Sequence, residues 1–396
     1  MCSEVLVRSL TKCCNFYDFR QAAQSYLPAP LFHFIDGGAD DECTKNKNTA
    51  AFDKVELIPR CLRDVRTVNT RTSLFGRDID LPVILAPTGM TKLFHPGGEA
   101  VVAREAEKAG VGYTLSTMGN TSLEDISRIQ SGLKLFQLYL LADDKLNYQI
   151  IDRCRHAGYD ALCLTVDAVV PGNRERDIRS GMTMPPRLTL RSFLDFARRP
   201  QWCARYLAGE ALSLPNCRSE LEGGEKLSSS ALRHASIMET NLSWERVETL
   251  ISYWGKPFVL KGIMSVEDAI KAAEVGASSI VISNHGGRQL DGAPGTLEML
   301  PEIADAVGGK IKIILDGGIR RGSHVVKALA MGADACMIGR PYLYGLSSYG
   351  QPGVEKVLTM LRSEIQRTMK LIGCTEISQL NREYLRAASN CSPGLI

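Results

Sequence analysis

The sequence predicts a (β/α)8 TIM barrel. Three observations carry the prediction: eight short apolar runs, helical periodicity after several of them, and polar residues clustered where the runs end. The runs are residues 83–86, 112–115, 133–139, 161–166, 257–260, 279–282, 311–315 and 335–338. Runs this short and apolar read as strands of a parallel sheet buried on both faces. Helical stretches follow at 98–109, 266–275, 323–330 and 354–369. The units span about 280 residues, the size of one barrel. A doubly wound open sheet is the alternative, but no GxGxxG turn follows an early strand to support it.

The strand ends come next. The first run closes on Ala86-Pro87-Thr88-Gly89-Met90 and the second leads to Ser116. The third carries Gln137 and Tyr139, and the fourth leads to Thr165 and Asp167. Lys261 follows the fifth, Asp316-Gly317-Gly318-Ile319-Arg320 the seventh, and Gly339-Arg340 the eighth. Barrel enzymes build their sites at this C-terminal face, so these ends read as one site. The sixth run opens into Ser283-Asn284-His285-Gly286-Gly287-Arg288-Gln289-Leu290-Asp291-Gly292. A histidine there can move a proton near neutral pH. The arginine beside it can grip a carboxylate through a forked pair of charge-assisted bonds. The glycines let backbone approach a flat ligand. Acid–base group and anion clamp on one loop point to chemistry on a small organic acid.

Outside the repeat, the segment to about residue 58 reads as a helical cap that includes the stretch Phe32-His33-Phe34-Ile35-Asp36-Gly37-Gly38. Residues 180–242 interrupt the repeat after the fourth strand, as functional lids, partner surfaces or disordered segments do. Within them, the Gly/Ser-rich stretch 219–230 reads as mobile. The whole of 1–396 reads as a single domain.

Composition narrows the class further. With 44% hydrophobic and 23% charged residues, the chain has the make-up of a soluble globular protein. A net charge of +3 gives no footprint for nucleic acid. The 12 cysteines are scattered without CxxC pairs or metal-ligand spacing, so no metal site is expected. Without a signal peptide, reduced thiols in a cytoplasmic compartment are expected. No apolar run approaches the ~20 residues of a spanning helix, so any membrane contact is expected to be peripheral.

The motifs SNHGGRQLDG, LDGGIRRG, FQLY and LTVD, each at its own strand, make the chain resemble the FMN-dependent L-2-hydroxy acid oxidase and dehydrogenase family from about Phe16 to Leu385. That family includes glycolate oxidase, L-lactate dehydrogenase and mandelate dehydrogenase. The resemblance implies an oxidoreductase that takes an L-2-hydroxy acid to the 2-oxo acid. It implies His285 as catalytic base, Asp167 as its partner, and Tyr139 as a hydrogen-bonding group near the reacting carbon. Arg288 and Arg174 would hold the substrate carboxylate. Lys261 would stand near the flavin N1–C2 carbonyl. Ala86, Pro87, Thr88, Ser116, Gln137 and Thr165 would contact the isoalloxazine, with Ser283 also at the cofactor. Asp316, Gly318, Arg320, Gly339 and Arg340 would take the ribityl chain and phosphate, where barrels commonly bind phosphate. His33, His95, His156, His234 and His324 receive no catalytic role.

Two departures from the family pattern bear on the substrate. Phe34 stands where most members carry a carboxylate-binding Tyr. A hydrogen bond to a charged group contributes roughly 1.5–3 kcal/mol, so binding is expected to weaken by about one to two decades. Met118 replaces the bulky Trp of glycolate oxidases and leaves room for a larger substrate side chain. Gly89, where oxidases often carry Ala, resembles the mandelate dehydrogenase branch. In the insertion, residues 185–202 interleave Phe, Leu and Trp with arginines, a mix that suits an anionic membrane surface. Its Arg199-Pro200-Gln201-Trp202 stretch looks like that of membrane-associated bacterial members. These features set the expectation of a peripheral dehydrogenase, touching the inner face of the cytoplasmic membrane through 185–215 and reducing quinone or another acceptor. The alternatives are a lid helix folded on the barrel with solvated arginines and, for the activity, a mandelate-type dehydrogenase, an oxygen-using oxidase or, last, a silent flavin-binding scaffold. The resemblance also implies a homotetramer.

Overall fold

The computed structural model describes residues 10–182, 190–217 and 242–388. The expected mobility of 219–230, residues 185–189 of the arginine-rich stretch, and His234 lie outside the described residues.

Eight parallel strands close the barrel: β4 (Val83–Leu85), β5 (Gly112–Ser116), β6 (Lys134–Leu138), β7 (Ala161–Thr165), β8 (Phe258–Ile263), β9 (Ser279–Ile282), β10 (Lys312–Asp316) and β11 (Ala335–Ile338). β9 pairs with β10 and β11 pairs back to β4. Alternate residues serve two cores, which is why the runs are apolar throughout. Leu85, Leu115, Phe136, Leu164, Leu260, Ile282, Leu315 and Ile338 pack outward against the helices. Ile84, Leu135, Cys163, Val259, Val281, Ile314 and Met337 fill the interior. Ahead of the barrel, β2 (Thr72–Leu74) and β3 (Arg77–Ile79) form an antiparallel hairpin. Its Leu74 and Ile79 join the interior cluster and stopper the barrel at the N-terminal end.

The helices α4 (Gly98–Lys108), α5 (Leu123–Ile129), α6 (Asp144–His156), α10 (Trp244–Trp254), α11 (Val266–Glu274), α12 (Thr296–Val307) and α13 (Gly322–Ala330) surround the strands. Several begin on side-chain caps: Asp143 accepts from the Lys145 amide, Ser243 from Arg246 and Ser265 from Asp268. Two helices follow β11, α14 (Arg340–Tyr349) and α15 (Gln351–Leu371). The expected helix at 354–369 is the middle of α15, and α14 is an element that periodicity missed. Every residue of α14 from Pro341 to Tyr349 is buried, so it has no polar face to set a period.

The expected cap is three helices, α1 (Phe16–Tyr26), α2 (Ala29–Asp36) and α3 (Cys43–Ala50). It is followed by β1 (Val55–Leu57), which pairs with β12 (Leu385–Ala387) near the other end of the chain. The described part of the insertion after β7 holds α7 (Glu175–Ser180), α8 (Leu190–Ala197) and α9 (Pro200–Leu207). Strand bounds shift slightly from expectation. Tyr139 lies just past β6, and Lys261 lies inside β8, where the register shifts between Lys261 and Ile263. Gly262 at that irregularity has φ +112°, and a Cβ there would stand 2.6 Å from Asp167 Cβ. The bulge thus leaves the space that Asp167 occupies.

Candidate active site

One step beyond the apolar interior layer, the same alternation brings one residue from each strand to the mouth: Ala86, Ser116, Gln137, Thr165, Lys261, Ser283, Asp316 and Gly339. All eight belong to the set expected at a cofactor. Register places Ser116 beside Gln137 and Thr165 beside Lys261. Their polar atoms form two networks. Ser116 Oγ donates to Gln137 Oε1 at 2.8 Å, and Gln137 Nε2 donates to Thr165 Oγ1 at 3.0 Å. Lys261 Nζ donates to Ser283 Oγ at 3.0 Å and stands 3.2 Å from Asp316 Oδ2. Ser283 Oγ in turn donates to Asp316 Oδ2 at 2.8 Å. Lys261 is 4% exposed. Burial works to neutralise its amine, but Asp316 and then Asp167 hold its pKa above the ordinary value.

The loop after β9 is bent sharply. His285, Gly286 and Gly287 have φ of +58°, +67° and +73° in succession. A Cβ at Gly287 would lie 2.4 Å from the Lys45 backbone nitrogen, so cap and loop meet backbone to backbone. His285 has a Cβ and still takes the left-handed conformation, a strain that tends to mark functional residues. His285 Nδ1 lies 3.0 Å from Asp167 Oδ1, and Nε2 lies 3.4 Å from the Tyr139 hydroxyl. Burial works to raise the Asp167 carboxyl, but His285 and Lys261 bring its pKa below the usual range. Tyr139 is pushed up to about 12 by burial and by Asp167, so it stays a neutral phenol.

Arg174 and Arg288 converge on the cap. Their guanidinium carbons stand 5.4 and 5.3 Å from the centroid of the Phe34 ring, which stacks on Phe94 at 6.2 Å. Arg288 Nη1 donates to the carbonyls of Phe34 (2.6 Å) and Gly37 (3.1 Å). Burial, then Arg174 and Arg340, push its pKa down to about 9, so it is protonated at neutral pH and the cluster favours an anion. Met118 and Gly89 sit together: a Cβ on Gly89 would lie 2.8 Å from Met118 Cβ.

At the seventh and eighth strand ends, Gly318 has φ +76° and a Cβ there would strike the Asn48 carbonyl oxygen at 1.9 Å. Burial and Arg340 push the Arg320 guanidinium down, and no carboxylate pairs with it among the described residues. That donor set suits a phosphate. Arg340 is more committed: it donates to the carbonyls of Ile35, Gly286 and Gly37 at 3.0, 2.9 and 2.8 Å, stapling the cap to the His285 loop. Pro87 and Thr88 are half-buried at the first strand end. A buried cation beside Asp316, a tier of amide and hydroxyl groups, and arginines at one end fit a flavin mononucleotide.

Sequence reading missed several supporting residues. The Tyr342 hydroxyl donates to the Ala86 carbonyl at 2.7 Å and meets Thr88 Oγ1 at 2.7 Å. Asn48 and Asn284 exchange amide bonds of 2.7 and 2.8 Å between cap and loop. Asp36 takes a forked pair from Arg20, a bond from Arg176 and one from the Tyr344 hydroxyl. Its position at the end of an apolar cap helix, just before Gly37-Gly38, was the available signal.

The insertion differs in detail from expectation. Trp202 is turned inward, its Nε1 donating to the Leu93 carbonyl at 3.0 Å, and Phe196 packs against the core. Arg199 donates to the Leu27 carbonyl and Arg205 to the Tyr26 hydroxyl, both on the cap. Phe193, Leu194 and Leu207 are exposed. Among the described residues no helix is long and apolar enough to cross a membrane.

Comparison with known proteins agrees with this geometry. A family profile described as FMN-dependent dehydrogenase matches residues 23–387. An L-lactate oxidase of Nostoc sp. is 40% identical, over 94% of this chain and 97% of its own. An L-lactate dehydrogenase of Vibrio parahaemolyticus is 39% identical, over 93% and 97%. The crystal structure of the monotopic membrane protein (S)-mandelate dehydrogenase superposes with a TM-score of 0.90 at 34% identity, over 95% of this chain and 100% of that one.

Proposed function

Because the chain belongs to the FMN-dependent dehydrogenase family, a family of flavoprotein oxidoreductases acting on CH–OH, we propose which of its residues act and on what. The substrate is an L-2-hydroxy acid, lactate-like or with a larger side chain, oxidised to the 2-oxo acid. One observation carries this reading: two guanidiniums over the Phe34 ring, in the same mouth as a histidine paired to a carboxylate.

FMN, when bound, supplies the two-electron acceptor. Ala86, Pro87, Thr88, Ser116, Gln137, Thr165, Lys261 and Ser283 would hold its ring system. Asp316, Gly318, Arg320, Gly339 and Arg340 would hold its ribityl chain and phosphate. Lys261, kept protonated by Asp316, would supply fixed positive charge to offset the negative charge of a reduced ring. Arg174 and Arg288 hold the substrate carboxylate, and Tyr139 donates a hydrogen bond near the reacting carbon. With Nδ1–H directed to Asp167, His285 presents the lone pair of Nε2 to the substrate hydroxyl and takes its proton. The Asp167 carboxylate stabilises the imidazolium that results.

Gly89 and Met118 favour a side chain larger than that of glycolate. A mandelate-type substrate is the second reading, because the same Gly89–Met118 contact leaves a small residue and a flexible thioether at the pocket. The electrons pass to quinone or another acceptor, and Phe193, Leu194 and Leu207 on α8 and α9 would rest on the inner face of the cytoplasmic membrane. Homotetrameric assembly belongs to the same reading.

The test is anaerobic addition of L-lactate, and separately L-mandelate, to the yellow holoprotein. Bleaching of the flavin band supports the reading, and its relative rate ranks the substrates. No bleaching with any 2-hydroxy acid refutes it. Oxygen uptake after bleaching would assign an oxidase, and reoxidation by quinone alone a dehydrogenase.

A further inference from the structure

Behind the two clamp arginines lies a carboxylate that the proposed mechanism leaves without a task. Asp177 sits in the first turn of α7, its amide donating to the Arg174 carbonyl at 3.0 Å. The residue is 4% exposed. Its Oδ2 is 3.5 Å from Arg174 Nη1, and this oxygen makes no hydrogen bond among the described residues. Across the α2–α7 contact, His33 Nδ1 is likewise buried without a hydrogen-bond partner. Leaving such an oxygen unsatisfied costs free energy, which a carboxylate serving only the fold avoids. Asp36, one layer away, shows that ordinary solution: Arg20, Arg176 and Tyr344 all bond to it.

We propose that Asp177 is the resident counter-anion of the carboxylate clamp, a positioning residue that an incoming substrate or product carboxylate must displace from Arg174. The inference rests on the reading of Arg174 and Arg288 as carboxylate binders. The loose ion pair keeps two guanidiniums close enough to share one ligand, yet it is weak enough to exchange. A carboxylate that competes with the ligand also speeds the departure of product.

The groups facing Asp177 are Arg174 and Arg176 on its own segment, His33 on α2, and Arg288 from the loop after β9. Arg176 is itself engaged by Asp36 and Glu42. Burial holds the Asp177 carboxyl above its ordinary value, against the pull of Arg174 and Arg288. Burial and Arg176 hold His33 below its own, which favours its neutral form. Mild acid therefore neutralises Asp177 earlier than an exposed aspartate, and neutral Asp177 no longer competes. Affinity for anions should rise as pH falls.

The test measures binding of oxamate, a carboxylate with no 2-hydroxyl to oxidise, and of lactamide, the uncharged amide of lactate, to the flavin-loaded protein by calorimetry. Asp177→Asn keeps the side-chain shape and removes the charge. Near neutral pH it should bind oxamate roughly tenfold more tightly, the size of a partly screened charge term, with lactamide unchanged. Wild-type affinity for oxamate should climb toward that of the variant as pH falls from neutral into the carboxylate range, narrowing the gap between them sooner than an exposed aspartate would. Titrations common to both proteins enter both profiles and cancel in their difference. Equal oxamate affinities, weaker binding of both probes by the variant, or a gap that ignores pH would each overturn the proposal. If Asp177→Asn does not fold, Asp177→Ser takes its place in the same pair of profiles, with the same outcomes deciding. No oxamate binding by either protein refutes the clamp itself, and the proposal with it.

Discussion

Replacing Phe34 with leucine removes the aromatic face that both clamp arginines share. The guanidinium carbons stand 5.4 and 5.3 Å from the ring centroid, inside the range where a cation is attracted to a ring face. Each contact contributes about 0.5–1 kcal/mol at an exposed site and about 2 kcal/mol when desolvated. The Arg174 side chain is 29% exposed, so it belongs toward the lower figure and the more buried Arg288 toward the upper. The sum is about 2.5–3 kcal/mol, or about a hundredfold in affinity. Arg288 stays anchored, because it bonds the backbone carbonyls of residues 34 and 37 and not the ring. The expected result in anaerobic stopped-flow bleaching is a half-saturating substrate concentration raised about a hundredfold. The limiting rate should hold within about threefold, since His285 and Asp167 are untouched. An unchanged half-saturation, or a collapse of the limiting rate at constant half-saturation, would refute the assignment of the ring to carboxylate binding. Phe34→Tyr is the companion of opposite sign: a restored hydroxyl should tighten substrate binding by about a decade.

Asp167→Asn removes the carboxylate behind His285, and the limiting bleaching rate should fall by about two to four decades with oxamate affinity little changed. A variant of full rate would remove Asp167 from the proton-transfer reading. His95 and His324 are held by burial, and by Arg205 and Lys327 respectively, at about 4 and about 3. Unfolding returns both to the ordinary value of about 6.5, so the unfolded chain binds more protons between about pH 4 and 6.5. Their contribution to stability is complete above that window and is lost as pH falls through it. The thermal midpoint should therefore drop from pH 7.5 to pH 5, with a shallower drop in His324→Gln, and a level midpoint would contradict the assignment. Deleting α8 and α9, residues 190–207, should abolish flotation of the protein with anionic vesicles. Flotation by the deleted protein, or none by the intact one, would remove these helices as the membrane contact.

The barrel and much of its site are readable from sequence for one geometric reason. A strand buried on both faces is apolar throughout, so the first polar residue after it stands out, and period-two alternation then decides its direction. That is why the strand ends at Ser116, Lys261, Ser283 and Asp316 stand out in the sequence, while their assignment to a cofactor comes from the family resemblance. The same logic fails where no boundary between apolar and polar exists. Helix α14 is buried all round and left no periodic trace. Asp36, Arg176, Glu42 and Asp177 are charges among charges in the sequence, and only the packing of α2 on α7 shows which of them are satisfied. Trp202 and Arg205 read as surface chemistry because composition cannot tell a side chain facing lipid from one fastened to a neighbouring helix. Phe34 was visible as a substitution, but its place beneath two arginines was not, since they arrive from loops 114 residues apart (288 − 174).

The hairpin stopper at the floor of the barrel has a kinetic consequence. With Leu74 and Ile79 packed into one end of the barrel, the reacting centre faces the mouth beneath the cap. Reductant and oxidant that both use it must take turns, and the 2-oxo acid has to vacate before a small oxidant comes in. Steady-state plots at several oxidant concentrations should then run parallel, in the ping-pong pattern. A crowd of hydroxy acid at that mouth should slow turnover, so substrate inhibition is expected to accompany the parallel pattern.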